Sequence, residues 1–380
     1  MKYIIFTDIH FGNKGNKDDF NKECLDFLNF VEEKTSKMND IDGAIFLGDW
    51  FHNRNSINVK TLKYGIEGLY KFGSIGRGNS YLILGNHDLY YIDRRDVSSI
   101  FVPEGEIGVN IVEEPIYMEN EKFLFLPWLI NEEKLENYIK KYNPEYVFGH
   151  FEIPSFSFNK LIKKEGEYNP ENYKGPKRIL SGHFHLRQEK NNITYIGNCF
   201  SHDFSDVNDW HNKGFAILDT NKNELEYFEW ENAPKYCTTS ISKLNSIEFS
   251  NNMYLKLIND VQMKQMEVNQ LKEELENLPN IVDCFIYPNE LELAKSIVED
   301  ESLEHISNIE DLIVSLLNEL TMENINNSKL IEIYKEKIKF SPGIKTMITL
   351  KIKEIEEQKI LNSVTEFLKE LKNLEKNDII

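Results

Sequence analysis

Lys2-Tyr3-Ile4-Ile5-Phe6-Thr7-Asp8-Ile9-His10 opens the chain with an apolar run that ends in two metal-ligand-type side chains, Asp8 and His10. The theme returns four times downstream. Ala44–Leu47 runs into Gly48-Asp49, and Tyr81–Leu84 runs into Gly85-Asn86-His87-Asp88. Tyr146–Phe148 runs into Gly149-His150, and Ile179-Leu180 into Ser181-Gly182-His183-Phe184-His185. Short apolar runs closed by glycine and polar residues read as buried strands. Phe123–Leu126, Ile193–Ile196 and Phe215–Leu218 are further strand candidates. Between the runs lie helix-like stretches, Phe20–Phe30 and Val59–Phe72, the second with Val59, Leu62, Ile66 and Leu69 at helical spacing. Strands alternating with helices predict an α/β domain on buried, largely parallel or mixed sheets.

In such a sheet the carboxyl ends of the strands open onto the ligand crevice, so residues just after each strand converge. Here they are Asp8, His10, Asp49, Asn86, His150, His183 and His185. Asp8-x-His10 and His183-x-His185 have a spacing that lets both side chains reach one ion from a strand end. Imidazole, carboxylate and one amide oxygen, with no thiolate, suit Mn²⁺, Fe²⁺ or Zn²⁺. Seven such groups exceed what one small ion takes. They fit two ions about 3.5–4 Å apart, a pair that can activate a water, clamp a phosphate and steady a leaving oxygen.

Composition sets the frame. A chain of 380 residues, 41% hydrophobic, supports two or more cores. No apolar run is long enough for a membrane span, and the N-terminus lacks the pattern of a signal peptide. Cys24, Cys199, Cys237 and Cys284 are scattered and form no C-x-x-C pair, which suits a reduced cytoplasmic setting. The net charge of −19 argues against coating nucleic acid through a basic surface. It leaves room for an enzyme that meets phosphate through bound cations.

Four regions follow along the chain: a catalytic-type domain over 1–235, a small β-α-β domain over 236–290, an acidic linker over 291–307 and a helical region over 308–380. The second comprises strand Met253–Ile258, helix Val261–Leu278 and strand Ile281–Tyr287. The last carries an apolar stripe through Ile309, Leu312, Ile313, Leu316, Leu317 and Leu320.

The ordered blocks Asp-x-His, Gly-Asp, Gly-Asn-His-Asp, Gly-His and Gly-His-x-His resemble calcineurin-like metallophosphoesterases. Gly48-Asp49-Trp50-Phe51-His52 resembles the meiotic recombination eleven nucleases, SbcD in bacteria, and more closely the recombination endonuclease subunits of large tailed phages. Phe125-Leu126-Pro127-Trp128, Gly149-His150-Phe151-Glu152 and Lys213-Gly214-Phe215 extend the likeness over roughly residues 1–235. The resemblance implies a four-layer α/β/β/α sandwich with a β-α-β capping domain and a helical C-terminal region. It implies that Asp8, His10, Asp49 and His185 hold one metal ion, and Asp49, Asn86, His150 and His183 the other, both Mn²⁺. His87 would protonate the leaving oxygen, Asp88 would orient His87, and His52 would position the substrate. The implied activity is 3′-to-5′ exonuclease action on duplex DNA ends and endonuclease action on single strands, in recombination and double-strand-break processing. The implied partners are DNA, an SbcC-type coiled-coil SMC-like ATPase docked on the C-terminal helices, and a second copy met through Val59–Phe72. A small-molecule or nucleotide phosphodiesterase of the same superfamily is the alternative.

Two further expectations concern charge and spare histidines. Lys14, Lys17, Arg54, Arg94 and Arg95 are expected to form a basic rim, with Arg54 contacting substrate. His202, His211 and His305 match no block and read as surface or packing residues.

Overall fold

The computed structural model describes residues 1–101, 107–157, 163–204, 210–247, 249–261 and 263–288. The acidic linker, the helical region and His305 lie outside them. Two compact units result. The first comprises Met1–Thr239, Ile247–Lys256 and Gln270–Cys284. The second holds, among the described residues, Ser240–Ser246, Leu257–Asn269 and the end of the last strand.

The first unit is built on two six-stranded sheets. One joins β1 (Lys2–Phe6), β2 (Gly43–Phe46), β3 (Ser80–Ile83), β4 (Val109–Val112), β11 (Gly214–Asp219) and β12 (Glu224–Glu229), in the order β12-β11-β1-β2-β3-β4. Its four strands from β1 to β4 are parallel, and β11 runs against β1. The other joins β5 (Ile116–Met118), β6 (Phe123–Leu126), β7 (Tyr146–His150), β8 (Arg178–Gly182), β9 (Gln188–Lys190) and β10 (Ile193–Tyr195). Its order is β5-β6-β7-β8-β10-β9, parallel from β6 to β10 with antiparallel edges.

Period-two alternation makes the layers. In β1, Ile4 and Phe6 join the core beneath the helices, while Tyr3 and Ile5 join the core between the sheets. In β6, Phe123 and Phe125 face the inter-sheet core, while Leu124 and Leu126 join the outer core of the second sheet. A single irregular turn, α1 (Asn13–Asn16), precedes α2 (Asp18–Thr35). Helix α2 buries Phe20, Cys24, Phe27, Leu28 and Val31 on the first sheet, beside Leu69, Phe72 and Ile75 of α3 (Val59–Ile75). Helix α4 (Leu135–Tyr142) covers the second sheet through Leu135 and Ile139. The layers are therefore α/β/β/α, as expected.

A three-stranded sheet of order β13-β14-β15 is formed by β13 (Lys235–Ser240), β14 (Met253–Asn259) and β15 (Ile281–Pro288), with α5 (Gln265–Glu276) between the last two. The expected β-α-β elements are present, and β13 adds a strand. No helix among the described residues is long and apolar enough to cross a membrane.

Candidate metal centre

The carboxyl ends of β1, β2 and β3 in one sheet and of β7 and β8 in the other bring all seven predicted ligand-type residues together. The loops after β1 and β2 are laced by backbone hydrogen bonds, Asp8 N–H to Gly48 O at 3.0 Å and His10 N–H to Asp49 O at 3.1 Å. Asp8, His10, Asp49 and His183 all sit in the left-handed backbone region, with φ of 54°, 54°, 64° and 88°. Ordinary residues rarely go there, although Asp and His tolerate it better than branched side chains. The glycines of the motif blocks have a steric role. A Cβ on Gly48 would lie 2.4 Å from His150 Nδ1, and one on Gly85 would lie 2.2 Å from Asp49 Oδ1.

Two convergent groups emerge. His10 Nε2 lies 3.8 Å from Asp8 Oδ1 and 3.6 Å from Asp49 Oδ2. It is buried with no hydrogen-bond partner among the described residues. The ring of His185 stands 5.5 Å from that of His10. In the second group, Asn86 Oδ1 faces His150 Nε2 at 3.0 Å and His183 Nδ1 at 3.1 Å. Asp49 Oδ2 lies 3.4 Å from His150 Nε2. His150 Nδ1 is 2.7 Å from the Leu47 carbonyl, which can only accept, so that nitrogen carries the proton. In the neutral ring the Nε2 lone pair then points at an amide oxygen and a carboxylate oxygen. Three acceptors in one buried spot repel unless a proton or a metal ion stands between them. Burial opposes a charged His150, but the Asp49 carboxylate outweighs it and raises the imidazole to about 9. Burial likewise opposes a charged Asp49, yet His150 and His10 hold it well below the usual carboxylate range. Burial keeps His10 well below the ordinary imidazole value despite Asp49. The carboxylates thus draw positive charge to themselves, and the donor set fits divalent cations.

Around these side chains stand supporting groups. Glu152 Oε1 lies 3.7 Å from His183 Nε2, on the side away from Asn86. His183 and Lys164 together outweigh burial and hold the Glu152 carboxyl at about 2. A carboxylate behind a ligand histidine fixes its ring and strengthens it as a donor. Trp128 packs on His183 with ring centroids 5.1 Å apart. Sequence reasoning gave neither residue a role, although both lie in segments that carried the family likeness.

His87, His52, His183, His185 and Asp49 line a cavity of about 260 Å³ together with His10, Asn13, His202 and Asp203. His52 stacks on His87 at 5.3 Å and 19°. His87 Nδ1 meets the His52 carbonyl at 2.7 Å. Asp88 was expected to orient His87. Its carboxylate instead accepts four backbone N–H bonds, from Asp49 (2.8 Å), Gly85 (2.9 Å), Trp50 (3.0 Å) and Phe51 (3.2 Å). It anchors the loop that carries Asp49, because four converging amides satisfy both its oxygens.

Of the two expectations for His202, surface or packing, the structure shows packing, since it is 1% exposed against Phe20 and Phe200, and it also places the ring at the cavity. None of the five rim cations is among the cavity-lining residues. Lys14 sits among aromatic rings, 4.6 Å from the Tyr236 centroid, 4.9 Å from Tyr254 and 5.3 Å from Phe20. Arg95 is buried between Glu114 and Glu133. Arg94 lies over Tyr91 and pairs with Asp96. Arg54 is half-buried on the loop after His52.

Carboxylates and imidazoles aimed at one another across the ends of two stacked sheets are what a metallophosphoesterase requires, and this is the class that fold and site define. The profile of the calcineurin-like phosphoesterases matches residues 1–213, and the chain belongs to that family. It is also similar to exonuclease subunit 1 of Enterobacteria phage T4, 29% identical over 233 residues that cover 60% of this chain and 67% of that protein.

Proposed function

We propose that this chain is a two-metal DNA nuclease acting on DNA ends in recombination and break processing. The observation that carries the choice of substrate is the likeness to a phage exonuclease subunit, which extends over 233 residues of this chain. Asp8, His10, Asp49 and His185 would hold one ion, and Asp49, Asn86, His150 and His183 the other, with Mn²⁺ the best suited. When bound, the ions supply positive charge for the phosphate oxygens and a more acidic water. The remaining work falls to the chain. With its Nδ1 proton held by the His52 carbonyl, His87 presents Nε2 as the atom that hands a proton to the departing sugar oxygen. His52 keeps that ring in plane by stacking on it. Asp88 holds the loop under Asp49. Arg54 meets the phosphate backbone at the edge of the site.

The activity in this reading is 3′-to-5′ exonuclease action on duplex ends and endonuclease action on single strands. The relative is named a subunit, in keeping with a coiled-coil SMC-like ATPase partner of SbcC type and work in the cytoplasm of the host cell. All four cysteines are buried free thiols, which suits that compartment. Helix α3 leaves Val59, Leu62, Ile66 and Tyr70 exposed at spacings that form one stripe, a surface suited to a homodimer.

The test compares Mn²⁺-dependent cleavage of end-labelled duplex DNA with hydrolysis of a nitrophenyl phosphodiester. Cleavage of DNA supports the reading. Robust ester hydrolysis without DNA cleavage, even with the ATPase present, overturns it in favour of a small-molecule or nucleotide phosphodiesterase.

A further inference from the structure

We infer that His202 is an additional ligand of the ion held by Asp8, His10, Asp49 and His185. The inference rests on the two-ion reading above and concerns the make-up of one of its two sites. His202 follows no apolar run that ends in a motif block. It lies seven residues after Tyr195, the last residue of β10, and the chain between carries it inward. Its ring packs edge-on against Phe20 of α2 at 5.5 Å and 72°, and against Phe200 at 5.2 Å and 77°. It also meets two predicted ligands, His10 at 5.2 Å and 87° and His185 at 5.2 Å and 81°.

The donor atoms decide the matter. One nitrogen each from His10, His185 and His202 lies within 4.8 Å of the others, and Asp8, His10 and Asp49 form a second such group. His10 belongs to both, as it does to a third group with His52 and His87, so its ring is where the candidate donors meet. Two imidazole nitrogens bound to one ion at about 2.1 Å each stand about 3–4 Å apart. The three rings are thus already close to a shared coordination sphere. Two of its three histidines sit in the motif blocks and are ligands in the two-ion reading, so the third has the same access to the ion.

The consequence is an asymmetric pair. One ion would have three imidazoles and two carboxylates, leaving a six-coordinate ion one position for water or phosphate. The other would have two imidazoles, an amide oxygen and the shared carboxylate. The nitrogen-rich sphere favours a transition ion over Mg²⁺.

The experiment is Mn²⁺ titration by calorimetry on the full chain, unaltered and as His202→Phe, repeated against excess Mg²⁺. The inference expects two ions on the unaltered chain. In the variant one ion should bind at least about tenfold more weakly, and Mg²⁺ should displace it. Two ions bound by the variant with unchanged affinity would overturn it. Should the variant fail to fold, ¹¹³Cd NMR on the unaltered chain decides. Scalar coupling between cadmium and the His202 ring supports ligation, and coupling to His10 and His185 without His202 refutes it. An unaltered chain that binds no ions would defeat the two-ion reading itself, a different failure from the others.

Discussion

His87 Nδ1 stands 2.7 Å from the carbonyl oxygen of His52. A carbonyl oxygen only accepts, so the ring keeps its proton on Nδ1 and exchanges protons at Nε2. His87→Gln should therefore lower turnover about a hundred- to ten-thousand-fold, the range for losing a general acid. Metal analysis of the same variant should still find two ions per chain. A variant that loses an ion would show that His87 binds metal instead.

Asp88 accepts four backbone N–H bonds from the loops around Asp49 and Gly85. Asp88→Asn keeps one acceptor oxygen and turns an NH₂ group toward donors. Unfolding by urea should show a loss of about 2–4 kcal/mol, since charged buried hydrogen bonds are replaced by a donor clash. Ion affinity should fall about tenfold as the Asp49 loop loosens. Reduced turnover with unchanged stability and affinity would restore the expected role of orienting His87.

Much of the fold was legible because the interior strands are buried on both faces and read as apolar runs. The strands that no apolar run marks include β12, β4, β5 and β9, which are the edges of the two large sheets. Glu224–Glu229 shows why, since its residues alternate between exposed and half-buried and no apolar run remains. The candidate ligand residues were legible because each ends a strand or follows closely on one. The place of His202 at the cavity was not, since Phe20 and Phe200 bring it in through packing that no spacing rule encodes. Arg95 is lost to the expected basic rim for a related reason. It is buried and directs its charge at a half-buried Glu133, and a sequence shows a cation without its partner.

That half-buried pair also predicts a pH response. Burial alone would push the Glu133 carboxyl up, but hydrogen bonds from Arg95, the Ile130 N–H and Tyr138 outweigh it and hold it below its ordinary value. A carboxylate lowered on folding adds stability above its unfolded value of about 4.3. That stability is lost as pH falls through the folded value. Glu133→Gln should thus cost about 1–3 kcal/mol at pH 7. Urea unfolding repeated toward pH 3 should show the gap between the two proteins closing. A gap that does not change with pH would remove the ion pair as its cause.

The exposed stripe on α3 gives a test of assembly. Ile66 is 40% exposed, in line with Leu62 and Tyr70. Ile66→Glu should convert a dimer to a monomer in light scattering without lowering the melting temperature, because the side chain is exposed and joins none of the buried clusters of the described residues. An unaltered protein that is already monomeric at micromolar concentration would rule the dimer out.

The left-handed backbone at Asp8, His10, Asp49 and His183 bears on how this protein would respond to selection. Glycine or asparagine would occupy those four positions with less strain, at about 1 kcal/mol each. A library screened only for survival of heating, in a chelating medium, would drift toward those residues and discard the donors one by one. Such a screen would return a sturdier protein with no chemistry, so any attempt to toughen this scaffold has to select for turnover in every round.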